Sequence, residues 1–294
     1  MSTLYFLAFF LFIYSTNGSI FAETIQITSP TLPNPSTDGS LFSERLQNTN
    51  VTAPNPDLIF FNRVPKVGST MMMNLLRRLS IRNGFAFFQD AAHPGMQARL
   101  NCAQEADLTH LLCQLPKQPP SVYIKHVAMV NFTRGGVGGC NHVVYINMVR
   151  DPVERMISWY YYIRLNGTRN FAARMKKAHQ KEDDTWLQRR EERCLGRAME
   201  NVDKYYSVVG VLEELDLSLE VFESYIPLVF AGARETYFKD KDTMVSINKN
   251  LEKPSTPKEI KQFVRDELGN EVKFYEFCKQ RLYRQAKFAR QMVS

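Results

Sequence analysis

What this chain has little of narrows it first. Its five cysteines, Cys102, Cys113, Cys140, Cys194 and Cys278, form no C-x-x-C pair, and no histidine cluster lies near them. A zinc site needs thiolates and imidazoles at short fixed spacings, so metal chemistry of that kind is not expected. No apolar run reaches the roughly 20 residues that cross a bilayer as a helix. The strongest, Leu4 to Tyr14, is short enough to be a signal-peptide core, although no basic residue precedes it. Residues 1–22 are therefore expected to be a signal peptide or a short signal anchor, and either sends the chain into the secretory pathway. No internal repeat and no low-complexity tract breaks the sequence after residue 57.

The 294 residues, 44% of them hydrophobic, suit one sizeable domain with short appendages. A net charge of +7 suits an anionic partner, whether nucleic acid, membrane surface, nucleotide or acidic polysaccharide. Much of the excess is local, with Arg77, Arg78 and Arg82 in one segment and Arg164, Arg169, Arg174, Lys176, Lys177 and Lys181 in another. A solvated helix face explains such clusters as well as a binding site does. Sequons at Asn17, Asn50, Asn131 and Asn166 agree with a secretory lumen, and the last three are the expected glycosylation sites. One or two disulfides, with one thiol left over, fit that compartment. From Glu23 to Asp57 the chain is rich in Pro, Ser, Thr and Asn, which reads as an extended stem.

The globular part begins near Leu58. Strands are expected over Leu58–Val64, Phe85–Phe88, Ser121–Lys125, Val143–Val149 and Ser207–Leu212. Helices are expected over Thr70–Arg82, Gln97–Gln114, Val153–Leu165, Phe171–Val202, Leu217–Phe230 and Pro257–Val293, the last broken near Gly269. The alternation predicts an α/β fold for residues 58–294, with a mostly parallel sheet covered by helices on both faces. Such sheets bind ligands at the carboxyl ends of their strands.

Two loops of interest lie at those ends. The first is Val64-Pro65-Lys66-Val67-Gly68-Ser69-Thr70. A glycine lets the backbone approach an anion, while free N–H groups and the helix dipole point at it. Lys66 adds a full charge, and Ser69 and Thr70 add hydroxyls. The Walker A pattern puts its lysine after the second glycine; here the lysine comes two residues before the loop's only glycine. An ordinary strand–turn–helix with a helix cap at Ser69 is the plainer alternative. The second loop, Arg150-Asp151-Pro152, opens a helix containing Arg155 and Ser158. Arg150 and Ser158 could hold a second phosphate if the helix packs back across the strand end.

Taken together, P-K-x-G-S-T and R-D-P-x-x-R-x-x-S resemble the paired signature of sulfotransferases that use 3′-phosphoadenosine-5′-phosphosulfate (PAPS). Phe61-Asn62-Arg63-Val64-Pro65-Lys66, Val122 to Val127, Tyr145 to Arg155 and Tyr160-Tyr161-Tyr162 resemble, more narrowly, the uronyl and heparan sulfate 2-O-sulfotransferases, a Pipe-like family. The resemblance implies the P-loop-like sulfotransferase fold and the transfer of a sulfuryl group from PAPS to the 2-hydroxyl of a hexuronic acid in a glycosaminoglycan chain. It implies His126 as the base and Lys66 as the group neutralising the leaving phosphate oxygen. Arg63, Lys66, Val67, Gly68, Ser69 and Thr70 would take the 5′ side of PAPS, and Arg150 and Ser158 the 3′-phosphate, with no metal. Asn74, Arg77, Arg164, Arg174 and Lys176 are candidate acceptor contacts. The implied setting is a Golgi membrane protein of type II, held through its N-terminal segment. Its partner is a sulfated glycosaminoglycan rather than nucleic acid, and a homo-oligomer is compatible with the family.

Two departures stand out. The family commonly has a second histidine two residues before the base, where this chain has Ile124. Its acceptor-side segment, between Trp186 and Ser207, is shortened by comparison. A PAPS- or glycan-binding homologue without turnover is therefore an alternative, and a P-loop nucleotide kinase a more remote one.

Overall fold

In the computed structural model, residues 56–90, 100–117, 120–132, 143–165, 184–240 and 255–293 are described. The expected N-terminal segment, nearly all of the stem, Asn50, Asn166, Arg174, Lys176 and the side chain of Arg164 lie outside them.

Leu58-Ile59-Phe60-Phe61-Asn62 is apolar on both faces, and it forms the central strand. β1 (Leu58–Asn62), β2 (Ala86–Gln89), β3 (Ser121–Lys125), β4 (Val143–Val149) and β5 (Tyr206–Val211) make one sheet in the order β2-β3-β1-β4-β5. All of its pairings are parallel. Every residue of β1 is buried, as expected of a strand with neighbours on both edges and helices on both faces. The described helices are α1 (Ser69–Asn83), α2 (Cys102–Cys113), α3 (Pro152–Leu165), α4 (Asp184–Tyr205), α5 (Leu215–Tyr225), α6 (Pro227–Phe230), α7 (Ala233–Lys239), α8 (Lys258–Glu267) and α9 (Gly269–Val293).

The expected α/β sheet is borne out, and the differences have local causes. The helix expected over Leu217–Phe230 is two helices, because Pro227 has no N–H and drives Ile226 out of the helical region, to φ −135° and ψ 58°. α7 was not foreseen; it follows Gly232, which adopts a left-handed φ of 72°. Ser69 does not cap α1. The cap is Gly68, at φ 79° and ψ 12°, and Ser69 is the first helical residue and buried.

Strand order places the site. From β1 the chain crosses to β2 on one side, returns to β3, then passes over β1 to β4. Right-handed crossovers in opposite directions put their connections on opposite faces. A crevice therefore opens at the carboxyl ends of β3 and β1, where ligands of open parallel sheets bind.

The core beneath it is aromatic. Phe60 meets Phe132 edge-on at 4.9 Å between ring centroids, and Tyr145 stacks on Phe132 at 5.6 Å. Tyr145 Oη donates to the Val130 carbonyl at 2.8 Å and accepts from the Phe132 amide at 3.2 Å. This pins the buried segment that follows β3. A polar knot ties β1 to its neighbours: Asn147 Nδ2 donates to Asn62 O and Oδ1, and Tyr206 Oη donates to Asn62 Oδ1 at 3.0 Å. α9 covers the outer edge of β5, with Arg281 donating to Tyr206 O at 2.7 Å and Gln285 to Ser207 O at 2.8 Å. An edge covered in this way is closed to pairing with other strands. Among the described cysteines Cys102, Cys194 and Cys278 are free thiols, three rather than the single one expected, and Cys113 is disulfide-bonded. No helix among the described residues is long and apolar enough to cross a membrane.

Candidate active site

The loop between β1 and α1 is built around two left-handed residues. Gly68 can adopt φ 79° without cost, and a Cβ there would lie 2.6 Å from a methyl of Leu212. Lys66 adopts φ 67° although it is not glycine. A single residue held in that region costs on the order of 1 kcal/mol, so surrounding contacts must impose it. Those contacts come from the second motif. Arg155 Nε donates to the Pro65 carbonyl at 3.1 Å, and Arg150 Nη1 to the Lys66 carbonyl at 3.3 Å. With its carbonyls turned to the arginines, the loop leads into α1, whose first amides have no partner within the helix.

Arg63 leaves β1 beside this loop. Its amide extends the β1–β3 pairing by donating to Lys125 O at 2.8 Å, and its guanidinium donates to Thr70 Oγ1 at 3.2 Å. Burial pulls its pKa down. The Nε atoms of Arg63 and Arg150 are both buried without a hydrogen-bond partner. Two cationic donors left unsatisfied at one loop fit a site for an anion, since such atoms are costly to bury otherwise. Lys66 Nζ lies 4.2 Å from the centroid of the Tyr162 ring. Burial first, and then the charge of Arg150, lower its pKa.

His126 follows β3 directly and meets the loop from the other side. Its Nδ1 is 3.1 Å from the Arg63 carbonyl. A carbonyl only accepts, so Nδ1 carries the hydrogen and the lone pair of the neutral ring lies on Nε2. Its pKa falls to about 4, chiefly through burial and then through the Arg63 charge, partly offset by the bond to the Arg63 carbonyl. The ring is therefore unprotonated at neutral pH.

Arg150 sits among carboxylates, 4.0 Å from Glu154 and 3.9 Å from Glu213. Glu213 is itself held by the Asp151 amide at 3.1 Å and by Tyr275 Oη at 3.2 Å. Lys261 and Arg265 of α8 pair with Glu154 and Asp151 at 2.6 and 2.8 Å. Ser158 is half-buried on α3.

The structure thus joins Arg63, Lys66, Gly68, Thr70, His126 and Arg150 around one crevice, with Val67 and Ser69 buried in the same loop. Asn74 is half-buried on α1. Arg77 turns toward β2, donating to Gln89 Oε1 at 3.1 Å with its guanidinium 5.5 Å from the Phe87 ring centroid. Asn131 is half-buried, and its amide donates to Tyr205 Oη at 3.3 Å. Sequence reasoning gave no task to Arg155, Tyr162 or Glu213. Arg155 and Tyr162 stand within quoted motifs, but only their tertiary contacts show what they touch.

Residues 50–212 match the Sulfotransferase family. The chain belongs to the sulfotransferase family. It is 32% identical to a Drosophila melanogaster protein named uronyl 2-sulfotransferase homolog pip, over 78% of this chain and 53% of that protein. It is 28% identical to the Homo sapiens uronyl 2-sulfotransferase, over 76% of this chain and 62% of that protein. It is 26% identical to the Homo sapiens heparan sulfate 2-O-sulfotransferase 1, over 75% of this chain and 69% of that protein. This sulfotransferase therefore spans about half the length of its fly relative.

Proposed function

We propose that this sulfotransferase moves a sulfuryl group from PAPS to the 2-hydroxyl of a hexuronic acid in a glycosaminoglycan chain. The carrying observation is the hydrogen bond between His126 Nδ1 and the Arg63 carbonyl, which fixes the tautomer of a candidate base beside the anion loop. PAPS supplies a sulfuryl group on a phosphate leaving group.

The residues present suit that donor. Gly68, Val67, Ser69 and Thr70 form the helix-start cradle for its 5′ side. Arg63 and Lys66 add positive charge, and Arg150 and Ser158 are the groups for the 3′-phosphate. His126 Nε2 takes the proton of the acceptor hydroxyl as its oxygen attacks sulfur and the sulfur–oxygen bond to phosphate breaks. Lys66 offsets the negative charge growing on the departing phosphate oxygen. The low pKa of His126 keeps the base unprotonated, and the charge of a bound polyanion moves that pKa up toward the acidity that general-base catalysis favours. Asn74, Arg77, Arg164, Arg174 and Lys176 are the proposed acceptor contacts. A lumenal Golgi location, attachment through residues 1–22 and glycosylation at Asn50, Asn131 and Asn166 belong to the same proposal.

His126→Ala tests it. Transfer to desulfated heparan and dermatan chains should fall by about 10²–10⁴-fold, while affinity for 3′-phosphoadenosine 5′-phosphate stays within about twofold. Undiminished transfer would refute His126 as the base. Nucleotide binding without any transfer by the unaltered protein would favour the binding-only alternative.

A further inference from the structure

The loop carries a non-glycine residue in the left-handed region, and its two neighbouring carbonyls are each taken by an arginine. These arginines are not equivalent. Arg150 is 21% exposed at its side chain, and its Nε faces the Glu213 carboxylate at 3.9 Å. Arg155 is half-buried behind the loop; burial lowers its pKa to about 10, the charge of Glu271 opposes that fall, and the charge of Arg150 adds to it. Glu271 belongs to the first turn of α9 and is 2% exposed. A buried guanidinium is costly unless an opposite charge and good acceptors surround it. Here the Pro65 carbonyl is the acceptor, 3.1 Å from Nε.

We propose that Arg155 is a positioning residue: from behind the loop it holds the Pro65 carbonyl, and with it the left-handed Lys66 backbone, without touching a substrate. Lysine cannot take over the task. It keeps the charge but lacks the planar fork whose Nε reaches the carbonyl in a fixed direction. The inference rests on the reading of Pro65–Thr70 as the donor loop.

The test compares the unaltered protein with Arg155→Gln and Arg155→Lys. Amide hydrogen exchange is followed from Val67 to Met72 without ligand, and binding of 3′-phosphoadenosine 5′-phosphate is measured by calorimetry. Both Arg155 variants should speed loop exchange by about tenfold or more, with exchange in β1, β3 and β4 unchanged, and should weaken nucleotide binding by a similar factor. If loop exchange in Arg155→Lys matches the unaltered protein, or rises equally across the sheet, the proposal is overturned. Should Arg155→Gln fail to fold, Arg155→Lys against the unaltered protein decides by the same criterion. An unaltered protein that binds no nucleotide would sink the donor-loop reading, and loop exchange would still judge the strut.

Discussion

The two sides of the crevice are built differently. On the side of β1 and β4, the loop carbonyls are clasped by Arg150 and Arg155, the Thr70 hydroxyl is held by Arg63, and two arginine Nε atoms stay buried and unsatisfied. On the side of β2 and the outer face of α1, charged groups find partners close by. Arg77 is tied to Gln89, and Lys125 is paired with Asp90, which also accepts from Tyr123 Oη at 2.8 Å. The first side has its binding groups prearranged. The second has side chains that must leave local partners before they can meet a ligand. On the proposed function the donor meets the first side, whose ordering costs are met during folding, and the polymeric acceptor meets the second.

The comparison can be broken most sharply at Lys66. Lys66→Ala should lower the transfer rate by about 10²–10³-fold, the scale for losing one preorganised electrostatic group. Acceptor KM should change little. A variant with near-normal kcat would place the charge stabilisation elsewhere.

A smaller effect is expected from pH. The folded pKa of His126, about 4, lies below its ordinary value of 6.5. Between those values the unfolded chain binds more protons than the folded one, so stability rises with pH. The contribution is present above pH 6.5 and is lost as pH falls from 6.5 through about 4. Partial exposure of the ring keeps it on the order of 1–2 kcal/mol. Proton titration of the ligand-free ring by NMR should give a midpoint well under 6.5, and His126→Gln should flatten that part of the stability curve. A midpoint at or above 6.5 would contradict the buried setting of the base.

The smallest effect is expected at Arg77. Arg77→Ala should shift stability by less than about 0.5 kcal/mol, and acceptor KM by about two- to fivefold with donor KM constant. A larger change in donor KM would erase the division between the two sides.

Much of the first side is legible in the chain. Lys66, Gly68, Ser69 and Thr70 are contiguous, so their chemistry can be read locally, and Arg150 ends a strand whose apolar run is unmistakable. The extent of α1 was foreseen to within a residue at each end. At the cap, Ser69 has the better capping side chain, but only Gly68 takes the left-handed turn cheaply. Arg155 is legible as a motif letter and not as a strut, since its bond to the Pro65 carbonyl joins distant segments. The second side was less legible, as exposed arginines on helices look alike in sequence whether they meet a ligand or a neighbouring glutamine.

By itself, the sequence determined the alternation of strands and helices, the residue types of both loops and a histidine at the end of β3. Hydrophobic periodicity and the special backbone of glycine and proline act over a few residues, so they can be read in order along the chain. The tertiary structure alone decided that β3 lies beside β1, which sets His126 against the Arg63 carbonyl, and that Arg155 reaches back to the Pro65 carbonyl. Strand order and such side-chain bonds arise from contacts between distant segments, and no local pattern encodes them.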